Sequence, residues 1–176
     1  MPRNSVQNGF TLIEILVVLV IIGLMAALAV FTMGGSSQQR ELEVEVQSLY
    51  LLMQVVSEQA VLNNLEAGLV IDTDTYQFVV FDDENQAWEI SPERLFQAHD
   101  LPPWLSLDAT VASEAPRLTN DNKELQPSIV FFSSGESTAF DIELMVKGQA
   151  SPPHRLYSDG IALIHWQKPG AEPEGL

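Results

Sequence analysis

The chain has 176 residues, 46% of them hydrophobic, with eight Lys and Arg against 24 Asp and Glu, for a formal charge of −16. A surface this acidic repels phosphate backbones and suits anionic lipid surfaces poorly, which argues against nucleic-acid binding. There is no cysteine, which excludes disulfides, thiolate metal sites and Cys nucleophiles, and the three histidines (His99, His154, His165) contain no i,i+4 ligand pair for zinc.

The chain opens with a short polar piece, Met1–Gly9, in which Arg3 is the only basic side chain. From Ile15 to Met33 no charge occurs, and these residues are rich in Leu, Ile, Val, Ala and Met. That length matches a helix crossing the hydrocarbon layer. A secretory signal peptide is the alternative, but the apolar run is too long and the pattern carries on as helix instead of ending at a small-residue cleavage site. Arg3 precedes the run, while Arg40 and then Glu41, Glu43 and Glu45 follow it. The positive-inside bias therefore places the N-terminus in the cytoplasm and the rest outside.

Glu14 stands just inside the start of this helix. A carboxylate at the centre of a span costs about 2.5–3.5 kcal/mol on insertion scales, and less near an edge. Either it snorkels to the interface, or it waits for a cationic partner in an assembled state. A cut after Gly9 would create such a partner, the α-amine of Phe10, four residues away on the same helical surface. Glu14 reaches its own amine only awkwardly, so the amine of a neighbouring subunit is the better mate.

The run "GFTLIE", residues 9–14, ahead of an uninterrupted apolar helix resembles the precursor motif of type IV pilins and pseudopilins. The resemblance implies a leader, 1–9, that a membrane-embedded prepilin peptidase removes after Gly9. The same enzyme would methylate Phe10 as the new N-terminus, and Glu14 would be the carboxylate that docks an incoming subunit. It also implies a pilin-like α+β fold in which a long N-terminal helix, membrane-spanning in its first half, packs on an antiparallel β-sheet or sandwich.

Downstream, Gly34-Gly35 marks a soft spot in the helix, but no proline occurs between Arg3 and Ser91 to break it. Leu42, Val46, Leu49, Met53, Val56 and Ala60 recur at spacings of four and three, the stripe of a helix packed along one face. Gly68 is the expected helix stop. A helix from Phe10 to Leu65 would be roughly 80 Å long. The division expected is a transmembrane helix over 10–35, its periplasmic continuation over 36–67, a β-rich domain over 68–168 and a polar tail over 169–176. A coiled-coil dimer is the alternative use of the stripe, but little more than two heptads follow the glycines, which favours helix-on-sheet packing.

After Gly68 the period turns towards two. Strands are expected at Leu69–Thr73, Tyr76–Phe81 and Ala87–Ile90, the last pair joined by the turn Asp82–Asn85. Ser91-Pro92 reads as the cap and first position of a short helix. Leu101–Val111 joins a proline turn to a strand, and Ala112–Gln126 reads as a polar loop. Ile129–Ser133 is a compact apolar run. Phe140, Ile142, Leu144 and Val146 alternate with polar or exposed-type residues, as in a sheet covered on one face. Leu156–Ser158 and Ile161–Trp166 flank Asp159-Gly160, which reads as a hairpin turn. The tail from Lys168 is rich in Gly and Pro and reads as disordered.

The stretch "PSIVFFSSGESTAFDIEL", Pro127–Leu144, with Phe131 and Gly135 in F-x-x-x-G spacing, resembles the C-terminal pattern of H-type minor pseudopilins of type II secretion and of the related FimT minor pilins. The implied function is structural: a subunit of the type II secretion pseudopilus near its tip, supporting export of folded proteins across the outer membrane. The implied location is the bacterial inner membrane, single-pass, with a periplasmic domain. The implied partners are the other major and minor pseudopilins, the prepilin peptidase and the inner-membrane assembly platform, and no cofactor is called for. A FimT-like minor pilin of type IV pili is the alternative, but 169–176 holds Glu172 and Glu174 and none of the basic residues DNA uptake would need. A periplasmic hydrolase lacks a visible Ser, His and Asp cluster, and Ala139 breaks the G-x-S-x-G frame around Ser137. The acidic residues Asp72, Asp74 and Asp82–Glu84 form no D-x-D-x-D-G loop, so no metal site is expected.

Overall fold

The computed structural model describes residues 12–111, 125–161 and 163–171, and for 27–36 the backbone alone. A single helix, α1, runs over Leu12–Asn63 and passes Gly34-Gly35 without a break. The chain divides into two compact units, Met1–Arg40 and Glu41–Leu176. Among the described residues no helix is long and apolar enough to cross a membrane. The apolar run Ile15–Met33 extends into residues whose side chains lie outside the description.

In the second unit the expected helix stripe is the heart of the core. Leu42, Val46, Leu49, Met53, Val56 and Ala60 are all 3% exposed or less. They pack in one cluster with Leu69, Tyr76, Phe78, Ile129, Phe131, Ile142, Leu144 and Leu156. Each Leu, Ile, Val, Phe or Met among them contributes about 1.5–3 kcal/mol on removal from water. Helix-on-sheet packing is thus the use made of the stripe.

Two antiparallel sheets supply the other wall. The first has the order β3-β2-β1-β6, from Ala87–Ile90, Thr75–Asp82, Ala67–Ile71 and Ile129–Phe131, with the two-residue β4, His99–Asp100, paired to β2. The second has the order β5-β7-β8-β9, from Leu105–Val111, Phe140–Val146, His154–Ser158 and His165–Gln167. In β7 the alternation is realised, with Phe140, Ile142, Leu144 and Val146 buried and the residues between them half-exposed. On the other face of the first sheet a smaller cluster forms around Val79, Trp88 and Val130.

Several local expectations are corrected. The helix ends at Asn63, and Asn64 takes the left-handed turn at φ 51° that ends it, a conformation Asn tolerates better than most residues. Gly68 lies inside β1, opposite Val79 and Val130. A Cβ there would meet Pro127 Cβ at 2.5 Å, so glycine serves close packing and not a helix stop. The short helical piece is a 3-10 turn, Arg94–Phe96, capped by neither Ser91 nor Pro92, and the Ser91 hydroxyl accepts instead from the Glu93 amide. The last hairpin is wider than Asp159-Gly160, because strand pairing resumes only at His165. Gly160, at φ 93°, lies so close to the Ser137 carbonyl that a Cβ would stand 2.6 Å from it, which keeps the loop hugging the preceding turn. The expected loop Ala112–Gln126 falls largely outside the described residues, as does the tail beyond Ala171. The tail's first residues are ordered, however, with the Ala171 amide donating to the Lys168 carbonyl and Gln167 Nε2 to the Ala171 carbonyl.

Candidate functional site

The candidate site begins at the start of α1. Gly9 and Phe10 lie outside the described residues, and Glu14 stands in the first turn of the helix, exposed. From Leu12 to Met25 every residue other than Glu14 and Gly23 is a large aliphatic or Met side chain, and all of these are exposed. An amphipathic helix would leave only one face apolar; here no polar face exists, so the segment requires apolar surroundings from outside the chain. Glu14 is the single ionisable group in that stretch.

The second unit treats its helix differently, tying Glu43 and Glu45 of α1 to residues of the β-rich part. Lys168 Nζ donates to Glu43 Oε1 at 2.6 Å and lies over the Trp166 ring at 4.9 Å. The hydrogen bond from Lys168 holds the exposed Glu43 carboxyl below its usual range. His99 Nε2 is 3.0 Å from Glu45 Oε2, and its ring packs on Tyr76 at 4.9 Å. Burial pushes the Tyr76 phenol up to about 12. Just past the helix, Glu66 accepts from both the amide and the hydroxyl of Ser133, at 3.1 and 2.9 Å. This contact explains the Phe131–Gly135 pattern: Gly135, at φ 90°, closes a turn whose first serine is gripped by the helix–strand junction.

Several other polar groups have structural employment. Trp166 Nε1 donates to Nδ1 of His154, which is buried, and burial lowers the pKa of this imidazole. Arg155 pairs with Asp141 and lies 3.8 Å from Glu143. Asp82, with the Asn85 and Glu84 amides both donating to its Oδ1, is held below its usual pKa and closes the β2–β3 turn. Among the described residues no group of three His, Asp or Glu could hold a metal ion. The clips through Lys168, His99 and Glu66 join residues far apart in sequence, so spacing along the chain could not reveal them.

Comparison with known proteins matches both ends of this description. Residues 4–30 fit the prokaryotic N-terminal methylation motif, and residues 45–160 fit the family model of type II transport protein GspH. Type II secretion system protein H of Pseudomonas aeruginosa is 35% identical over 164 residues, covering 89% of this chain and 94% of the relative. The protein of that name from Vibrio cholerae is 30% identical over 169 residues, covering 82% and 86%. The fold is that of the minor pseudopilin EpsH from the Vibrio cholerae type 2 secretion system, with a TM-score of 0.62, 24% identity, and coverage of 75% of this chain and 99% of that one. The solution structure of E. coli GspH aligns at a TM-score of 0.51 with 16% identity, covering 69% and 83%. The methylation motif is consistent with membrane anchoring. With the family model spanning most of the chain and relatives aligned nearly end to end, the chain belongs to the GspH family, the H-type minor pseudopilins of type II secretion.

Proposed function

We propose that the chain is made as a precursor anchored in the inner membrane, its N-terminus cytoplasmic and its β-rich domain periplasmic, and that it is cut after Gly9. Phe10 becomes the methylated N-terminus, and Glu14 docks the subunit by pairing with the cationic N-terminal amine of a neighbour. The mature subunit then joins the pseudopilus near its tip, beside the other pseudopilins and on the assembly platform, and supports export of folded proteins. It supplies no chemistry of its own.

One observation carries this reading: a helix start that is apolar on every face from Leu12 to Met25 and interrupted only by Glu14 and Gly23. Such a surface is stable in lipid or among similar helices, and in either place an unpaired carboxylate is costly. A new amine created by the cut neutralises it in the assembled state only. The family motif over residues 4–30 supports the same assignment. The test is Gly9→Val, expressed with the prepilin peptidase. The precursor is expected to stay full-length on a gel and by intact mass, and normal processing would defeat the cleavage assignment.

A further inference from the structure

Residues Trp166–Lys168 are closed over α1 by a contact that only a neutral histidine can make. His154, in β8, is 4% exposed, and its Nδ1 accepts a hydrogen bond from Trp166 Nε1 at 3.2 Å. An indole N–H only donates, so Nδ1 carries no proton here. Beyond that hydrogen bond a short row of contacts reaches the helix. The Trp166 ring lies 5.8 Å from the Tyr50 ring, and Lys168 Nζ lies 4.9 Å from the Trp166 ring and donates to Glu43 Oε1. Tyr50 and Glu43 both belong to α1. Protonating His154 turns Nδ1 into a donor and sets two N–H groups against each other at a buried position.

Little else holds this segment. β9 is a three-residue strand, half-exposed throughout, that pairs with β8 alone among the described residues. Its side-chain tie to β8, from Arg155 Nη1 to Gln167 Oε1 at 3.3 Å, joins a permanent cation to a neutral amide and does not titrate near neutral pH. A short edge segment with few buried contacts opens locally at low cost. Among the described residues the charged groups that face His154 are Glu43 from α1 and Lys168 beyond β9, while its partner in β7 is the apolar Leu144. Burial opposes an imidazolium most, Glu43 attracts it and Lys168 repels it, and the balance holds the imidazole below its ordinary pKa. Once formed, the imidazolium also competes with Lys168 for Glu43, the second anchor. We infer that Trp166–Lys168 is an acid-released latch: neutral His154 holds it on α1, and a proton on His154 frees it and bares Tyr50. The closed latch is complete above the open-state histidine pKa of about 6.5, and weakens by up to about tenfold per pH unit below it until the lowered closed-state value is passed.

Hydrogen exchange read by mass spectrometry on the full chain in detergent micelles tests the latch, with labelling times scaled for the intrinsic pH dependence of exchange. Between about pH 8 and about pH 5, peptides covering β9 and Lys168–Ala171 are expected to lose about tenfold in protection along a one-proton curve. Peptides covering β7 are expected to keep theirs. In His154→Gln, which retains an acceptor for Trp166, the β9 peptides are expected to stay protected throughout. His165→Gln, altered within β9 at a half-exposed position, is expected to release as the wild type does. Protection of β9 that is equal at both ends of the range, or loss shared by β7, would overturn the inference. So would release that persists in His154→Gln, or a latch that stays shut in His165→Gln. If His154→Gln fails to fold, seen as an unprotected β7 at every pH, the wild-type and His165→Gln curves decide, and any course other than uptake of one proton in both overturns it.

Discussion

Two stretches of one helix, Leu12–Met25 and Leu42–Ala60, both carry many Leu and Val side chains, yet they solve opposite problems. The second has a single stripe of six residues buried in its own domain, with acidic neighbours such as Glu43 and Glu45 clipped to the sheets. The first has apolar side chains on every face and none of the large ones buried. What differs is whether polar residues interrupt the apolar period. Interruption gives a helix with an inside and an outside and hence a self-sufficient domain. Its absence gives a segment whose burial must come from lipid or from other subunits, and that is the physical meaning of a filament subunit with a folded head.

The sharpest way to break this contrast is to delete core volume in each stretch. In a fragment from Arg40 onward, expected to sediment as a monomer, Met53→Ala should cost about 2–5 kcal/mol in denaturant unfolding, because Met53 is fully buried. Leu19→Ala in the full chain should leave the melting of the domain unchanged. Equal losses at the two positions would erase the distinction. Next in size is Gly68→Ala, which forces a Cβ to within 2.5 Å of Pro127 Cβ and should cost about 1–3 kcal/mol by the same measurement.

The smallest effect concerns pH. Burial lowers the pKa of His154 in the folded state, so the unfolded chain takes up a proton that the folded chain refuses. Stability contributed by neutral His154 is therefore complete above the ordinary histidine pKa, about 6.5, and declines as pH falls below it towards the lowered folded value. His154→Gln keeps an acceptor for Trp166 and should flatten that part of the profile of melting temperature against pH. An unchanged profile would remove His154 from the account.

Much of the fold was legible because its periods are clean. The stripe from Leu42 to Ala60 and the alternation in Phe140–Val146 each state which face is covered. Where the reading missed, a three-dimensional neighbour had overruled a local signal. Gly68 looked like a helix stop, but the close approach of Pro127 asks for glycine there, and Asn64 provides the turn. Lys168 looked like the start of a disordered tail, yet Glu43 and the Trp166 ring hold it. Ile161 was expected in a strand; the close approach of Gly160 to the Ser137 carbonyl keeps the chain in a loop and leaves Ile161 exposed. The candidate site was legible for a different reason. Glycine, phenylalanine and glutamate at fixed spacing before an apolar run form a local signal, one that needs no tertiary partner within the chain.

The central claim is that Glu14 acts between subunits and not in the folding or maturation of its own chain. Glu14→Ala, expressed in cells that secrete through this system, tests it in one measurement: the mutant's mature N-terminus by mass spectrometry together with its recovery in sheared pseudopili. The account predicts a chain cut and methylated like the wild type but absent from the filament, with secretion lost. Full incorporation and normal secretion by the Glu14→Ala chain would contradict it.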